Sequence, residues 1–360
     1  MLQTKKTFLS ALLSISLIAP AMGCASLKRT HQKDPASITV TFLDVGQGDA
    51  TLIQCPKNKT EVLIDAGNNS LEYPEADTLL LEGLTQAMGR DKHIELAINT
   101  HPHPDHINGF ITLLKADEPF HIEQFIGSEM SFDKAKELAL ESALKNSGSI
   151  ETKISEIKDN KISICHGLAE MEFLKLTEKE LKSLNCPSNL NDCSIIAKLT
   201  TNHASVLFLA DATLGWEQEI LKNPKYKNFL DADILKVGHH GHQSTSLELL
   251  SAVSPELVVI SSGKPGLGTT SYYGFPESQV VDRLLAFFST EHGAETKPES
   301  MQVCEKIEGV CHWKSVATPR RILQTARDGN IKLYFKDSMV EVSRLSGNAS
   351  STTHSFSFGR

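Results

Sequence analysis

The stretch His101-Pro102-His103-Pro104-Asp105-His106 packs four potential metal donors into six consecutive residues. Two prolines hold the segment extended, so His101, His103 and Asp105 fall on alternate positions, and His106 adjoins them where the chain turns into a helix. Four ligands can converge. Imidazole nitrogens with carboxylate oxygen and no thiolate suit zinc, manganese or iron better than calcium. Two other apolar runs end in donors. Leu207-Phe208-Leu209-Ala210-Asp211-Ala212 finishes in a carboxylate that a core tolerates only when paired, and a bridged metal supplies that pairing. Leu235-Lys236-Val237-Gly238-His239-His240-Gly241-His242 finishes in histidines.

These segments predict a site for two divalent ions, zinc foremost and manganese second, with single occupancy left open. His101 and His103 would hold the first ion. Asp105, His106 and one of His239 and His240 would hold the second, and Asp211 would bridge them. The favoured assignment places His239 on the metal and reserves His240, with Asp105, for catalysis; which of the two histidines is the ligand stays open. Ions ~3.5–4 Å apart lower the pKa of a bound water towards ~7 and stabilise both oxygens of a phosphoryl displacement, so hydrolysis by a metal-bound hydroxide is the expected reaction. Asn191, Ser194 and His242 are candidate substrate-binding groups. Asp44, Asp49 and Asp65 are candidates to orient the ligands or their loops from behind.

Other chemistries fit less well. Gly46-Gln47-Gly48-Asp49 is followed by neither Lys-Ser nor Lys-Thr, so it is not a P-loop. A Gly-x-Ser-x-Gly elbow is absent from the sequence.

The donors need strand ends to sit on, and the patterning provides them. Ile38–Leu43, Ala50–Ile53 and Val62–Asp65 read as a meander of strands, Thr78–Met88 as an amphipathic helix, and Leu96–Ile98 as a buried strand running into His101. Helices follow over Ile107–Lys115 and Phe132–Asn146. The second half repeats the style, with strands at Ser194–Thr200, Ser205–Leu209, Ile234–Val237 and Leu257–Ile260 and helices at Trp216–Leu221 and Leu247–Ala252.

The 360 residues, 40% apolar and 22% charged, describe a globular body rather than a disordered, collagen-like or multi-span membrane chain. Acidic residues outnumber basic ones by 44 to 36, which argues against a broad basic face for nucleic acid. Lys5 and Lys6, an apolar run from Phe8 to Ala21 and the small residues around Cys24 predict a lipoprotein-type signal peptide over 1–23. Cys24 would then carry lipid and hold the protein on the periplasmic face of a bacterial membrane. The competing site, Ala19-Pro20-Ala21, would give a soluble periplasmic or secreted form. Export favours disulfides for the remaining cysteines: Cys186 with Cys193 and Cys304 with Cys311 by matched spacing, leaving Cys55 with Cys165, one of fifteen possible pairings.

Together these motifs resemble a known family. Phe42-Leu43-Asp44-Val45-Gly46-Gln47-Gly48-Asp49-Ala50, Leu63-Ile64-Asp65-Ala66-Gly67, the His-x-His-x-Asp-His run, Asn191-Asp192-x-Ser194, Ala210-Asp211-Ala212 and His239-His240-Gly241 are similar, in order, to the metallo-β-lactamase-fold domain of the ComEC competence proteins. The resemblance runs over about residues 38–335 and implies an α/β fold, the metallo-β-lactamase αββα sandwich, with two mixed sheets back to back, helices outside and metal at one edge. It further implies a phosphodiesterase or nuclease-like hydrolase, with DNA or another phosphodiester as substrate. The family's membrane-spanning channel has no counterpart here, so a stand-alone, exported form is expected. Three departures stand out. His242 follows Gly241 where the branch has Ser, Phe275 stands in Tyr273-Gly274-Phe275-Pro276 where it has His, and Asn191–Ser194 occupies the stretch that gives true β-lactamases a third histidine. Two other readings therefore stay open: a hydrolase of another envelope ester or amide (a phosphorylated cell-wall group, a lactone or a β-lactam), or a catalytically impaired metal-binding lipoprotein.

The expected organisation is a signal peptide over 1–23, a tether over 24–37, the domain over 38–345 with an insertion near 286–320, and a disordered tail over 346–360. The sequence carries no reading of oligomeric state.

Overall fold

A computed structural model of the protein describes residues 37–56, 60–67, 73–186, 188–268, 270–292, 298–336, 339–345 and 352–358. They fall in one compact unit, Pro35–Arg360. The expected signal peptide, Cys24 and the tether up to residue 36 lie outside the described residues. Among the described residues no helix is long and apolar enough to cross a membrane.

The first half supplies strands β1 (Thr39–Phe42), β2 (Ala50–Gln54), β3 (Glu61–Ala66), β4 (His93–Ile98), β5 (His121–Gly127) and β6 (Ile150–Lys153), with helices α1 (Ala76–Met88), α2 (Pro104–Lys115) and α3 (Lys134–Ser147) between them. Strands β7 (Lys161–Ile164), β8 (Ala169–Phe173), β9 (Ala197–Thr201), β10 (Ser205–Phe208), β11 (Ile234–Lys236) and β12 (Leu257–Ile260) follow. The chain closes with β13 (Glu299–Ile307), β14 (Val310–Thr318), β15 (Ile322–Gln324), β16 (Asn330–Lys336), β17 (Met339–Leu345) and β18 (Thr352–Ser357). One sheet runs β18-β17-β16-β1-β2-β3-β4-β5-β6 and the other β15-β12-β11-β10-β9-β8-β7. Each mixes antiparallel pairs, such as β1 with β2, and parallel pairs, such as β3 with β4.

Strand alternation sorts the side chains into three layers of core. Val62, Ile64 and Ile98 of the first sheet pack with Val206, Ile234 and Val259 of the second, so the sheets meet face to face. Leu63 and Ala97 point the other way, onto Leu80 of α1, Phe110 of α2 and Leu140 of α3. Leu207, Leu235 and Val258 pack outward on Trp216, Leu250 and Leu284, which lie in helices Leu214–Leu221, Leu247–Val253 and Ser278–His292. The αββα sandwich follows from this alternation, because both faces of each central strand are covered.

Two expectations are corrected. The described residues of the 286–320 segment are not irregular: the helix continues to His292, and 299–318 form the antiparallel ribbon β13–β14, in which Met301 and Val303 join the outer core. The 346–360 tail contains β18, paired with β17 along the sheet edge. Its Ser and Thr content masked two aromatics, Phe356 and Phe358, that pack on the core between the sheets. All three expected cysteine pairs form, Cys186 with Cys193 and Cys304 with Cys311, which the spacing indicated, and the remaining Cys55 with Cys165.

Candidate metal centre

Strand β4 delivers Asn99, Thr100 and His101 to the edge of the sandwich, and α2 begins at Pro104 with Asp105 and His106 in its first turn. Backbone packing holds that turn in place. The Asp49 N–H donates to the Asp105 carbonyl at 3.0 Å, and a Cβ at Gly67 would lie 2.3 Å from the same oxygen, so only glycine permits the approach. Asp211 comes from the turn after β10, and His240 from the turn after β11.

These donors meet in two groups that share one carboxylate. Asp105, His106, Asp211 and His240 offer ligand atoms within 4.8 Å of one another, and so do His101, His103 and Asp211. His101 Nε2 lies 3.1 Å from His103 Nδ1 and 3.6 Å from Asp211 Oδ2. His106 Nε2 and His240 Nε2 stand 3.2 and 3.4 Å from Asp211 Oδ1, and His240 Nε2 is 3.3 Å from Asp105 Oδ2. His101, His106 and His240 have no measurable exposure. Yet His106 Nε2, His240 Nε2 and Asp211 Oδ1 are buried without a hydrogen bond of acceptable geometry. Buried polar atoms left like this cost free energy, and a cation among them removes the cost, so the four-residue group fits a divalent ion, while His101, His103 and Asp211 offer a second set of donors.

The electrostatics agree. Burial opposes charge on His106, but the Asp211 and Asp65 carboxylates outweigh it and raise its pKa well above the usual histidine range. Burial likewise works against the ionised Asp211 and Asp105, and neighbouring His106 and His240 overcome it, so both pKa values fall below the usual carboxylate range. Burial lowers His103 to about 4, with His101 adding to the effect, which leaves its imidazole neutral and free to donate a lone pair.

The ligands are held from behind. Asp65 accepts from His106 Nδ1 at 2.8 Å and from the N–H and Oγ1 of Thr100, each at 2.7 Å. His240 Nδ1 donates to the Ser261 carbonyl at 3.0 Å. Asp49 lies 3.5 Å from His240 Nδ1 and is paired with buried Lys236, a residue the sequence reading passed over. A lysine closing the buried strand β11 requires a carboxylate partner, and that signal was available. Asp44 serves its loop rather than the ligands: it accepts from the Gly46 N–H at 3.2 Å, and burial raises it to about 6.

The assignment of the adjacent histidines is reversed. His240 sits in the four-residue group, whereas His239 belongs to neither group and its Nε2 accepts from Asn191 Nδ2 at 3.1 Å. Both residues have left-handed backbone (φ 47° and 54°), and that turn sends the two rings different ways. Two substrate-binding expectations are also corrected. Ser194 Oγ donates to the Asn191 carbonyl at 2.7 Å and so closes the turn that presents Asn191. His242 is buried with Nδ1 2.9 Å from Glu277, behind His239. Phe275 is itself buried and packs its ring 5.4 Å from that of His240.

This sandwich with a histidine and aspartate centre at one edge is the metallo-β-lactamase fold. Residues 43–119 match the Metallo-beta-lactamase superfamily. The chain is also similar to proteins of the ComEC branch. It is 26% identical over 258 residues to ComE operon protein 3 of Bacillus subtilis, which covers 68% of this chain and 30% of that protein. It is 29% identical over 270 residues to Recombination protein 2 of Haemophilus influenzae, covering 74% of this chain and 29% of that protein. The match thus spans less than a third of either relative. Among solved structures, the metallo-β-lactamase-fold protein YhfI of Bacillus subtilis is similar at 14% identity and a TM-score of 0.39, over 61% of this chain and 85% of that one.

Proposed function

We propose that the protein is a metal-dependent phosphodiesterase that cleaves DNA or a related phosphodiester outside the cytoplasm, as a lipoprotein anchored through Cys24. The observation that carries the chemistry is the pair of ligand groups joined at Asp211, with three inward atoms buried and unsatisfied. Zinc or manganese there supplies an activated water and a Lewis acid for the scissile phosphate. His101, His103 and Asp211 would hold one ion, and Asp105, His106, His240 and Asp211 the other. Asp65 and the Ser261 carbonyl fix the ring orientation of His106 and His240. Asn191 and His239, hydrogen-bonded to each other at 3.1 Å, are the groups we assign to receive a phosphate oxygen. DNA is favoured as substrate by the likeness to the ComEC branch.

The test is release of labelled nucleotides from single- and double-stranded DNA by protein loaded with zinc or manganese, with chelator-treated protein and Asp105→Ala alongside. Cleavage abolished by both treatments supports the reading. Absence of cleavage by metal-loaded protein overturns it.

A further inference from the structure

A run of ring contacts crosses the metal centre and emerges on both sides. At one end Phe132, in the loop between β5 and α3, lies edge-on to His103 with centroids 4.9 Å apart. The rings of His103, His101, His106 and His240 follow at 4.8, 4.0 and 5.3 Å. At the other end Phe275 touches His240, and Tyr273 stacks on Phe275 at 5.7 Å with 19° between the planes. The middle of this run is buried, whereas Phe132 and Tyr273 are 55% and 51% exposed.

Single exposed apolar side chains are ordinary on a protein surface. An exposed aromatic ring at each end of one run through the donors is not explained that way. Neither ring is needed to complete the ligand groups. We infer that Phe132 and Tyr273 are stacking platforms for unpaired bases on either side of the phosphate, which makes single-stranded nucleic acid the preferred substrate of this site. The inference rests on the phosphodiesterase reading for what lies between the rings. A single strand laid across the centre carries bases to both sides of the scissile phosphate, and bases further along it can reach the two end rings only when they are not stacked inside a duplex. Stacking also answers a problem of charge. With a formal net charge of −8 the chain is poorly suited to gripping a polyanion by charge alone, while every base offers a π-face.

The test is anisotropy of a fluorescein-labelled single-stranded oligonucleotide with the full chain, loaded with zinc or manganese and after chelation, against the same sequence as a duplex. Base stacking contributes ~1–3 kcal/mol per base, so Phe132→Ala and Tyr273→Ala should each weaken single-strand binding roughly 5- to 150-fold. Tyr273→Phe should bind as the parent does, and Leu168→Ala, an exposed apolar site on another loop, should have no effect. Abasic nucleotides scanned along the strand on both sides of the bound phosphate should weaken binding by the parent at the positions that meet the rings and add little to the alanine variants. Equal affinity for single strand and duplex, or alanine variants within about 2-fold of the parent, overturns the inference. Cleavage assayed in parallel separates the two ideas. The binding pattern without hydrolysis of any phosphodiester sinks the enzyme reading and leaves the platforms, cleavage without the pattern does the reverse, and neither binding nor cleavage overturns both.

Discussion

His106 Nδ1 donates to Asp65 Oδ2 across 2.8 Å, and this bond decides which nitrogen of His106 faces the centre. With the proton on Nδ1 committed to the carboxylate, Nε2 is the nitrogen turned towards Asp211, where a metal ion would displace its proton and take the lone pair. The same carboxylate takes the Thr100 N–H and hydroxyl, so it ties the end of β4 to the first turn of α2.

Removing that partner should therefore weaken metal binding more than it weakens the fold. Asp65→Ala is expected to lower metal affinity roughly 10- to 100-fold, the usual cost of losing an outer hydrogen bond to a ligating histidine. Titration against a competing chelator measures it. Unchanged affinity would reduce Asp65 to a backbone fastener.

The adjacent histidines should separate cleanly. His240→Ala removes a member of the four-residue ligand group, so metal content measured by mass spectrometry should fall towards one ion per chain. His239→Ala should keep the parent's content, because its contact is with Asn191. Equal losses in the two variants would contradict the geometry.

Glu277 gives a pH dependence with a defined sign. Burial opposes its ionisation, but His242 beside it and the Gln243 N–H bring its pKa down to about 2 from the ordinary 4.5. A carboxylate depressed on folding contributes stability that is fully present above 4.5 and is lost as the pH falls towards 2. Discounted for solvent screening, the contribution is roughly 1–2 kcal/mol. Urea unfolding of the parent and Glu277→Gln should differ by that amount at pH 6 and converge near pH 2. A gap of equal size at both pH values would assign the effect to packing.

The Cys55–Cys165 bridge closes a separation of 110 residues and ties the end of β2 to the turn after β7, across the two sheets. Loop-closure entropy makes it the most stabilising of the three pairs, and Cys55→Ala with Cys165→Ala should cost about 2–5 kcal/mol in denaturant unfolding. The pairs with a separation of 7, Cys186–Cys193 and Cys304–Cys311, should each cost less. A reversed order would argue against the entropic account.

The proposed anchor is testable in cells. Cys24→Ser should move the protein from the membrane fraction to the soluble fraction of the cell envelope, as followed by immunoblot. Retention on membranes would exclude lipidation at Cys24.

Local order along the chain was enough to find the donors and most of the frame. His101, His103, Asp105 and His106 announce themselves because proline stiffening and alternate spacing act within six residues, and Asp211 because a carboxylate ending the apolar run Leu207–Ala210 needs a partner. The αββα arrangement was what the family resemblance implied, and the continuous apolar runs of β3 and β10 agree with it, because such runs suit strands covered on both faces. What depended on residues distant in sequence was not legible. His239 and His240 are indistinguishable neighbours until Ser261, from beyond β12, accepts from one ring and Asn191 from the 191–194 turn donates to the other. Ser194 and His242 look like available polar groups until the Asn191 carbonyl and Glu277 engage them. Strand β18 reads as a polar tail until β17 offers an edge and the space between the sheets receives Phe356 and Phe358. In each case the sequence by itself determined which chemistry a residue can do, and the tertiary structure decided which partner it meets, because hydrogen bonding and burial are properties of neighbours that only the folded chain brings together.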